Sequence, residues 1–493
     1  MKEPYILSID QSTQGTKCLL FDCRGSLLHR TDAAHQQIVS PEGWISHNME
    51  EIYRNLISCI RKLVTESGID KDAVRCIGIS NQRETTVAWN RETGKPICSA
   101  IVWQCSRSRS VCERIASGGH AALIQERTGL PLSPYFPASK MAWILEHNEE
   151  AKMLAAQKKL YLGTVDSWLI YRMTNNTCFR TDYSNASRTQ LFNIRTQTYD
   201  KDLCSIFGVE SSMLPKICDS DSLFGMTDLG GFFNHPIPIH SVLGDSQSAL
   251  FGQGCLEPGM IKATYGTGSS VVINIGSDPK FSSQGIATSV AWRFKGRTQY
   301  IMEGNINYTG AVLTWLTELG LLSSAAESSE LARQSNPEDS TYLVPAFTGL
   351  GAPYWDSDAK ALFSGMSRKT GRAELVRAGL ECIAFQIRDV LDCIKKETDL
   401  SIRNLFVDGG PTQNEYLMQF QSDLMNAAVQ VPNTQELSGI GAAYMSGIAV
   451  GIYDESIFHV IHRTSYHPQM SPSLREKKYE GWQNAIKVVL EKQ

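Results

Sequence analysis

Three short stretches carry residues whose types and spacing could handle a phosphorylated ligand. The first is Asp10-Gln11-Ser12-Thr13-Gln14-Gly15-Thr16-Lys17, which sets a carboxylate at the mouth of a Gly/Ser/Thr-rich turn and an ammonium at its far end. Backbone N–H groups in such a turn can cradle phosphate oxygens, the carboxylate can meet a divalent cation, and the lysine can offset phosphate charge. The second is Thr264-Tyr265-Gly266-Thr267-Gly268, another turn of the same character. The third is Gly244-Asp245, an acid at the end of an apolar run, where a carboxylate can accept a proton. Taken alone, each turn reads equally well as a surface hairpin and each acid as a loop cap.

The elements around these residues give them a common setting. Tyr5 to Ile9 and Cys18 to Asp22 read as two strands flanking the first turn, and Met260 to Ile275 as a strand, turn and strand around the second. Met49 to Ser67 has helical spacing at Ile52, Leu56, Ile60, Leu63 and Val64, and Val74 to Ser80 follows as a buried strand. Pro238 to Leu243 is the strand that delivers Asp245. Later segments alternate helix (Leu375 to Lys396), strand (Leu405 to Val407) and a small-residue helix (Gly439 to Gly451) able to pack closely on a sheet. Ser471-Pro472 reads as an N-cap with Pro at the first helical position. The pattern is α/β, and two hairpins with Thr/Gly-rich tips half a chain apart suggest a duplicated fold. The division is placed near Gly254, giving domains 1–253 and 254–493.

Composition narrows the classes. A chain of 493 residues exceeds one core, and 42% hydrophobic with 20% charged residues is ordinary globular usage. The net charge of -4 comes from 47 basic and 51 acidic residues mixed along the chain, which offers no field for a nucleic acid. No apolar run approaches the roughly 20 residues of a membrane span, and the N-terminus runs into a strand without a secretory signal, so a soluble, cytoplasmic protein is expected. The thirteen cysteines lack a C-x-x-C pair and read as reduced thiols. P-loop, dinucleotide and protein-kinase signatures are all missing from the sequence. Whether copies of the chain assemble is left open.

Longer blocks then carry a resemblance. Ser80-Asn81-Gln82-Arg83-Glu84-Thr85-Thr86, Ala100 to Cys105, Gly163-Thr164-Val165-Asp166, Thr181 to Thr189, Tyr135 to His147 and Pro345 to Trp355 together are similar to segments of the FGGY carbohydrate kinase family, in particular its glycerol-phosphorylating branch. The resemblance covers nearly the whole chain. It implies two ribonuclease-H-like (actin-like ATPase) domains with ATP, Mg²⁺ and a small polyol or sugar in the cleft between them. Asp245 corresponds to the family's catalytic base and Asp10 to its Mg²⁺-associated acid. Thr13, Gln14, Lys17, Thr267, Gly310, Gly410 and Asn414 fall at positions expected to meet the nucleotide. Arg83, Glu84, Trp103, Tyr135, Asp245, Ser246, Gln247 and Ser270 are expected around the acceptor. An actin-like ATPase with no small-molecule acceptor is the other class, and the Arg83, Glu84, Trp103 and Tyr135 constellation argues against it.

The departures from that branch cluster at the acceptor. Ser12 stands where Gly is usual, Ser246 where Gln follows the base, and Ser270 where an aromatic ring packs on the carbons. These changes widen the seat and make it more polar. Glycerol remains the first expected acceptor, with erythritol, threitol, erythrulose or xylulose as the alternative.

Overall fold

The computed structural model describes residues 3–491. Its first sheet is built from β1 (Tyr5–Gln11), β2 (Gly15–Phe21), β3 (Leu27–Ala34), β4 (Val74–Asn81), β5 (Leu223–Thr227) and β6 (Ile237–Gly244), in the spatial order β5-β6-β4-β1-β2-β3. The second contains β7 (Ile261–Tyr265), β8 (Ser269–Gly276), β9 (Ala287–Phe294), β10 (Arg297–Ile306), β11 (Asn404–Asp408), β12 (Ala428–Pro432) and β13 (Arg463–Tyr466), in the order β9-β10-β8-β7-β11-β12-β13.

Pairing senses reveal the duplication. From β3 through β2, β1, β4, β6 and β5 the pairs run antiparallel, antiparallel, parallel, parallel, antiparallel. From β10 through β8, β7, β11, β12 and β13 the series is the same. Each half is therefore a ribonuclease-H-like layered unit, as the two hairpins suggested. A smaller five-stranded sheet (Gln37–Val39, Ile45–His47, Ala100–Ile101, Thr86–Asn90, Leu160–Thr164) sits beside the first.

Alternation along β1 explains how the first sheet is covered. Leu7 and Ile9 join the cluster made with α1 (Met49–Ser67) through Ile52, Leu56, Ile60 and Leu63. Ile6 faces the other way, into a cluster with Leu437, Ile440, Ala443 and Tyr444 of α2 (Leu437–Ala449), and Ser8 Oγ donates to Gly439 O at 2.7 Å. Both faces of the parallel strands are thus buried, which is why they read as apolar runs. The small-residue helix does pack closely, but on the sheet of the first half. A Cβ on Gly78 of β4 would lie 2.4 Å from Ala442 O, so only glycine permits this approach. That cluster also takes in Val272, Ala291 and Ile301 of the second sheet, making it a core shared by both lobes.

All thirteen cysteines are free thiols. Among the described residues, no helix is long and apolar enough to cross a membrane.

Candidate active site between the lobes

The acids sit where parallel strands end. Asp10 pairs in register with Ser80 of β4, and Gly244 of β6 pairs with Asn81. With neighbouring strands roughly 4.8 Å apart, the backbones of Asp10 and Asp245 stand about 10 Å from each other at one rim. Open α/β sheets bind ligands outside such carboxyl ends. The first tight turn is shorter than its sequence suggested. Only Ser12 to Gln14 turn, Asp10 and Gln11 finish β1, and Lys17 lies in β2 directly across from Asp10.

Asp10 is buried, and its Oδ1 has no hydrogen-bond partner among the described residues. Burial pushes its carboxyl up to about 6; Lys17 opposes the rise, while Asp245 and Glu436 add to it. Asp10 and Asp245 thus share one electrostatic field. The Lys17 ammonium pairs with Glu436 Oε2 at 3.0 Å, and Glu436 also binds Arg30. Gln14 is exposed, and its carbonyl accepts from His35 N.

After β4 the chain turns sharply through Gln82, Arg83 and Glu84. Glu84 has φ 57°, a left-handed conformation that costs a non-glycine residue about 1–3 kcal/mol. What holds it is a buried four-charge network. Arg83 Nη1 and Nη2 donate to the two oxygens of Glu303 at 2.8 Å each. Arg188 Nε donates to Glu84 Oε1 at 2.6 Å, and its Nη1 lies 3.1 Å from Glu303 Oε2. Burial alone would raise the Glu303 carboxyl, yet the Arg83 and Arg188 guanidiniums hold it well below the usual range. Arg83 Nε reaches Asp245 Oδ1 at 3.2 Å. Residue 244 is glycine because the Arg83 stem lies across it: a Cβ there would be 2.7 Å from Arg83 Cγ and Cδ.

The Thr181 to Thr189 segment braces this rim. Asn185 and Asn81 exchange amide hydrogen bonds of 2.9 and 3.0 Å, and Gly244 N donates to Ser184 Oγ at 2.9 Å. Ser246 N donates to Asp245 Oδ1 at 2.7 Å, and the Arg83 charge stands beside that same oxygen; Oδ2 carries no hydrogen bond among the described residues. Gln247 Oε1 accepts from Arg83 Nη1 at 3.2 Å, and Ser270 Oγ donates to Glu303 Oε1 at 2.9 Å. Trp103 and Tyr135 stand with ring centroids 5.4 Å apart.

The second turn borders a separate recess. Thr267, Gly310 and Gly410 come together in a cleft of about 680 Å³, with Tyr308, Trp315 and Phe347 as an aromatic wall. Phe347 lies 5.0 Å from Tyr308 and 4.6 Å from Trp315 between centroids. Gly310 opens α3 (Gly310–Glu318), whose first N–H groups dock on the carbonyls of Gly266 and Thr267. Asn414 is not part of this lining. Its Oδ1 caps the helix Glu415–Met425 through Leu417 N, and its Nδ2 donates to Ser328 Oγ at 2.9 Å.

Sequence reasoning missed Glu303, Arg188 and the aromatic wall. Arg188 and Phe347 lay inside blocks already singled out. Glu303 interrupts an apolar strand, Tyr300-Ile301-Met302-Glu303, and an isolated buried acid is itself a signal that a cation must meet it.

A duplicated α/β fold with a carboxylate rim on one lobe and a glycine-rich recess on the other is a two-lobed phosphotransferase architecture. Comparison with known proteins agrees: residues 5–252 match the N-terminal domain, and residues 261–450 the C-terminal domain, of the FGGY family of carbohydrate kinases. The chain belongs to that family. It is 44% identical to glycerol kinase 1 of Thermotoga maritima, over 99% of both chains, and 42% identical to the glycerol kinase of Stenotrophomonas maltophilia, again over 99% of each. Among solved structures, Plasmodium falciparum glycerol kinase with ADP superposes with a TM-score of 0.94 at 34% identity, covering 99% of this chain and 98% of that one. A xylulose kinase from Lactobacillus acidophilus shares the fold at a TM-score of 0.89 and 20% identity, covering 99% of both.

Proposed function

We propose that the chain is an ATP-dependent polyol kinase acting first on glycerol, converting glycerol and ATP to glycerol 3-phosphate and ADP. The observation that carries this reading is the junction of Arg83 with Asp245 at the end of β6, on the same rim as the buried Asp10. The names of the relatives favour glycerol as acceptor.

In this reading Asp245 Oδ2, without a hydrogen bond among the described residues, takes the proton of the attacking hydroxyl as its oxygen bonds to the γ-phosphorus and the bond to the β–γ bridging oxygen breaks. Arg83 and Glu84 orient acceptor hydroxyls, and Trp103 with Tyr135 covers the carbon face. Thr13 and Lys17 from one lobe and Thr267 from the other meet the phosphates. Gly310 and Gly410 line the nucleotide recess, and the aromatic wall gives its base a stacking surface. Mg²⁺ fits the donor set, since Asp10 Oδ1 is a buried carboxylate oxygen lacking a partner. When bound, that ion supplies charge neutralisation on the phosphates. We place the boundary between the two catalytic domains near Gly254.

A four- or five-carbon polyol or ketose is the second reading. It is favoured by the small side chain at position 270, whose hydroxyl turns to Glu303. A coupled assay of ADP release across glycerol, erythritol, threitol, erythrulose and xylulose tests both. Glycerol turned over far more efficiently than the others supports the first; a four- or five-carbon acceptor in that place supports the second. ADP release indifferent to any added polyol contradicts both.

A further inference from the structure

We propose that Glu303 is a positioning residue: by holding the far end of the Arg83 guanidinium it keeps Arg83 from closing on both oxygens of Asp245. This rests on the kinase reading and adds to it a part played by the second lobe.

Counting donors shows why. A guanidinium has five N–H groups. Two on Nη1 go to Glu303 Oε2 and Gln247 Oε1, and one on Nη2 goes to Glu303 Oε1, while Nε lies 3.2 Å from Asp245 Oδ1 as an ion pair without a hydrogen bond. Two N–H groups remain, on Nε and Nη2. In the planar fork these two share an edge, and it is the edge that faces Asp245. A hydroxyl accepting from Nη2 is held beside the free Oδ2. Without the Glu303 anchor, the same edge can form a bidentate pair with Asp245, which is the strongest geometry open to it. Both carboxylate oxygens are then occupied, and proton acceptor and hydroxyl seat are lost together.

Glu303 belongs to β10, whereas Arg83 and Asp245 follow strands of the first sheet. In the β8–β10 ladder Glu303 pairs with Val272, two residues beyond Ser270, and Ser269 begins β8 directly after the Gly266–Gly268 turn. The Ser270 hydroxyl fixes Glu303 Oε1 from that strand. The acceptor seat is thereby completed only when the lobe carrying the nucleotide recess is docked against the first. Arg188 balances the second charge of the network from within the first lobe.

The test is initial-rate kinetics of Glu303→Gln and Glu303→Asp, with glycerol and ATP varied separately. Wild-type turnover of glycerol checks the functional reading by itself. For Glu303→Gln, the acceptor KM is expected to rise and kcat to fall, each by about tenfold or more, the scale of a lost charged hydrogen bond. The ATP KM should stay within about twofold. Glu303→Asp, retaining the carboxylate, should recover part of the loss. Ser270→Ala should raise the acceptor KM about threefold, and it decides the matter if Glu303→Gln is insoluble. With active wild type, an unchanged acceptor KM, or equal losses for both substrates with no recovery in Glu303→Asp, overturns the proposal.

Discussion

The indole Nε1 of Trp103 donates a hydrogen bond to Thr13 Oγ1 at 3.0 Å. The ring proposed to cover the acceptor is thus tied to the tip of the Ser12 to Gln14 turn. The Trp103 backbone is held in turn by Thr85 Oγ1, just past Arg83 and Glu84. Trp103, the turn through Arg83 and Glu84, and the Ser12 to Gln14 turn form one connected unit.

Trp103→Phe keeps the apolar face and removes the N–H. One neutral hydrogen bond contributes about 0.5–1.5 kcal/mol, so the KM values for acceptor and for ATP are both expected to rise about two- to tenfold. An ATP KM identical to wild type, measured at saturating acceptor, would show that the tie to Thr13 carries no coupling.

Asp10 gives a pH signature. Its folded-state value of about 6 lies above the ordinary 3.8, so between these pH values the folded protein keeps a proton that the unfolded chain has released. This group favours the fold in acid, and that contribution is lost as pH rises through about 6. In the proposed role of Asp10, binding of the magnesium–nucleotide complex requires its ionised carboxylate. Calorimetric titration at pH 6 in buffers of different ionisation enthalpy should therefore report about half a proton released, vanishing by about pH 8 and absent in Asp10→Asn. Heats independent of buffer at pH 6 would contradict the assignment.

Lys140 positions Tyr135 from beneath. Its buried ammonium donates to the carbonyls of Pro134 at 2.7 Å and Tyr135 at 2.5 Å, with Phe136 O at 3.4 Å. Lys140→Met takes this donor from the Pro134 and Tyr135 carbonyls, whereas Phe136 O keeps the Ser139 hydroxyl, and it is expected to cost about 1–3 kcal/mol of stability. Thermal unfolding should show that loss, and kinetics should show a raised acceptor KM with the ATP KM little changed. Equal unfolding temperatures for mutant and wild type would remove the structural argument.

Much of this was legible before the fold was known, and the exceptions have physical causes. Strand-terminating acids at 10 and 245 and the paired hairpins follow from local pattern, because strand runs and turn residues are encoded within a few positions. The blocks around Arg83 and Asn185 carried the clamp and its brace. Partners set by tertiary contact were invisible: Lys17 reads as a free phosphate cation, while Glu436, more than 400 residues away, holds it. Glu303 and Arg83 lie 220 positions apart. Asn414 sits near the nucleotide turn in sequence, but its side chain is spent on a helix cap. For the helix at 437–449, small residues announced close packing but could not say on which sheet.

The proton acceptor is the centre of the account, and Asp245→Asn addresses it with the least change of shape. Polyol-dependent ADP release should fall at least a hundredfold, at the low end of about 10²–10⁴ for a general base, while ADP and ATP still bind with affinities near wild type by calorimetry. Turnover within a few-fold of wild type would contradict the role given to Asp245.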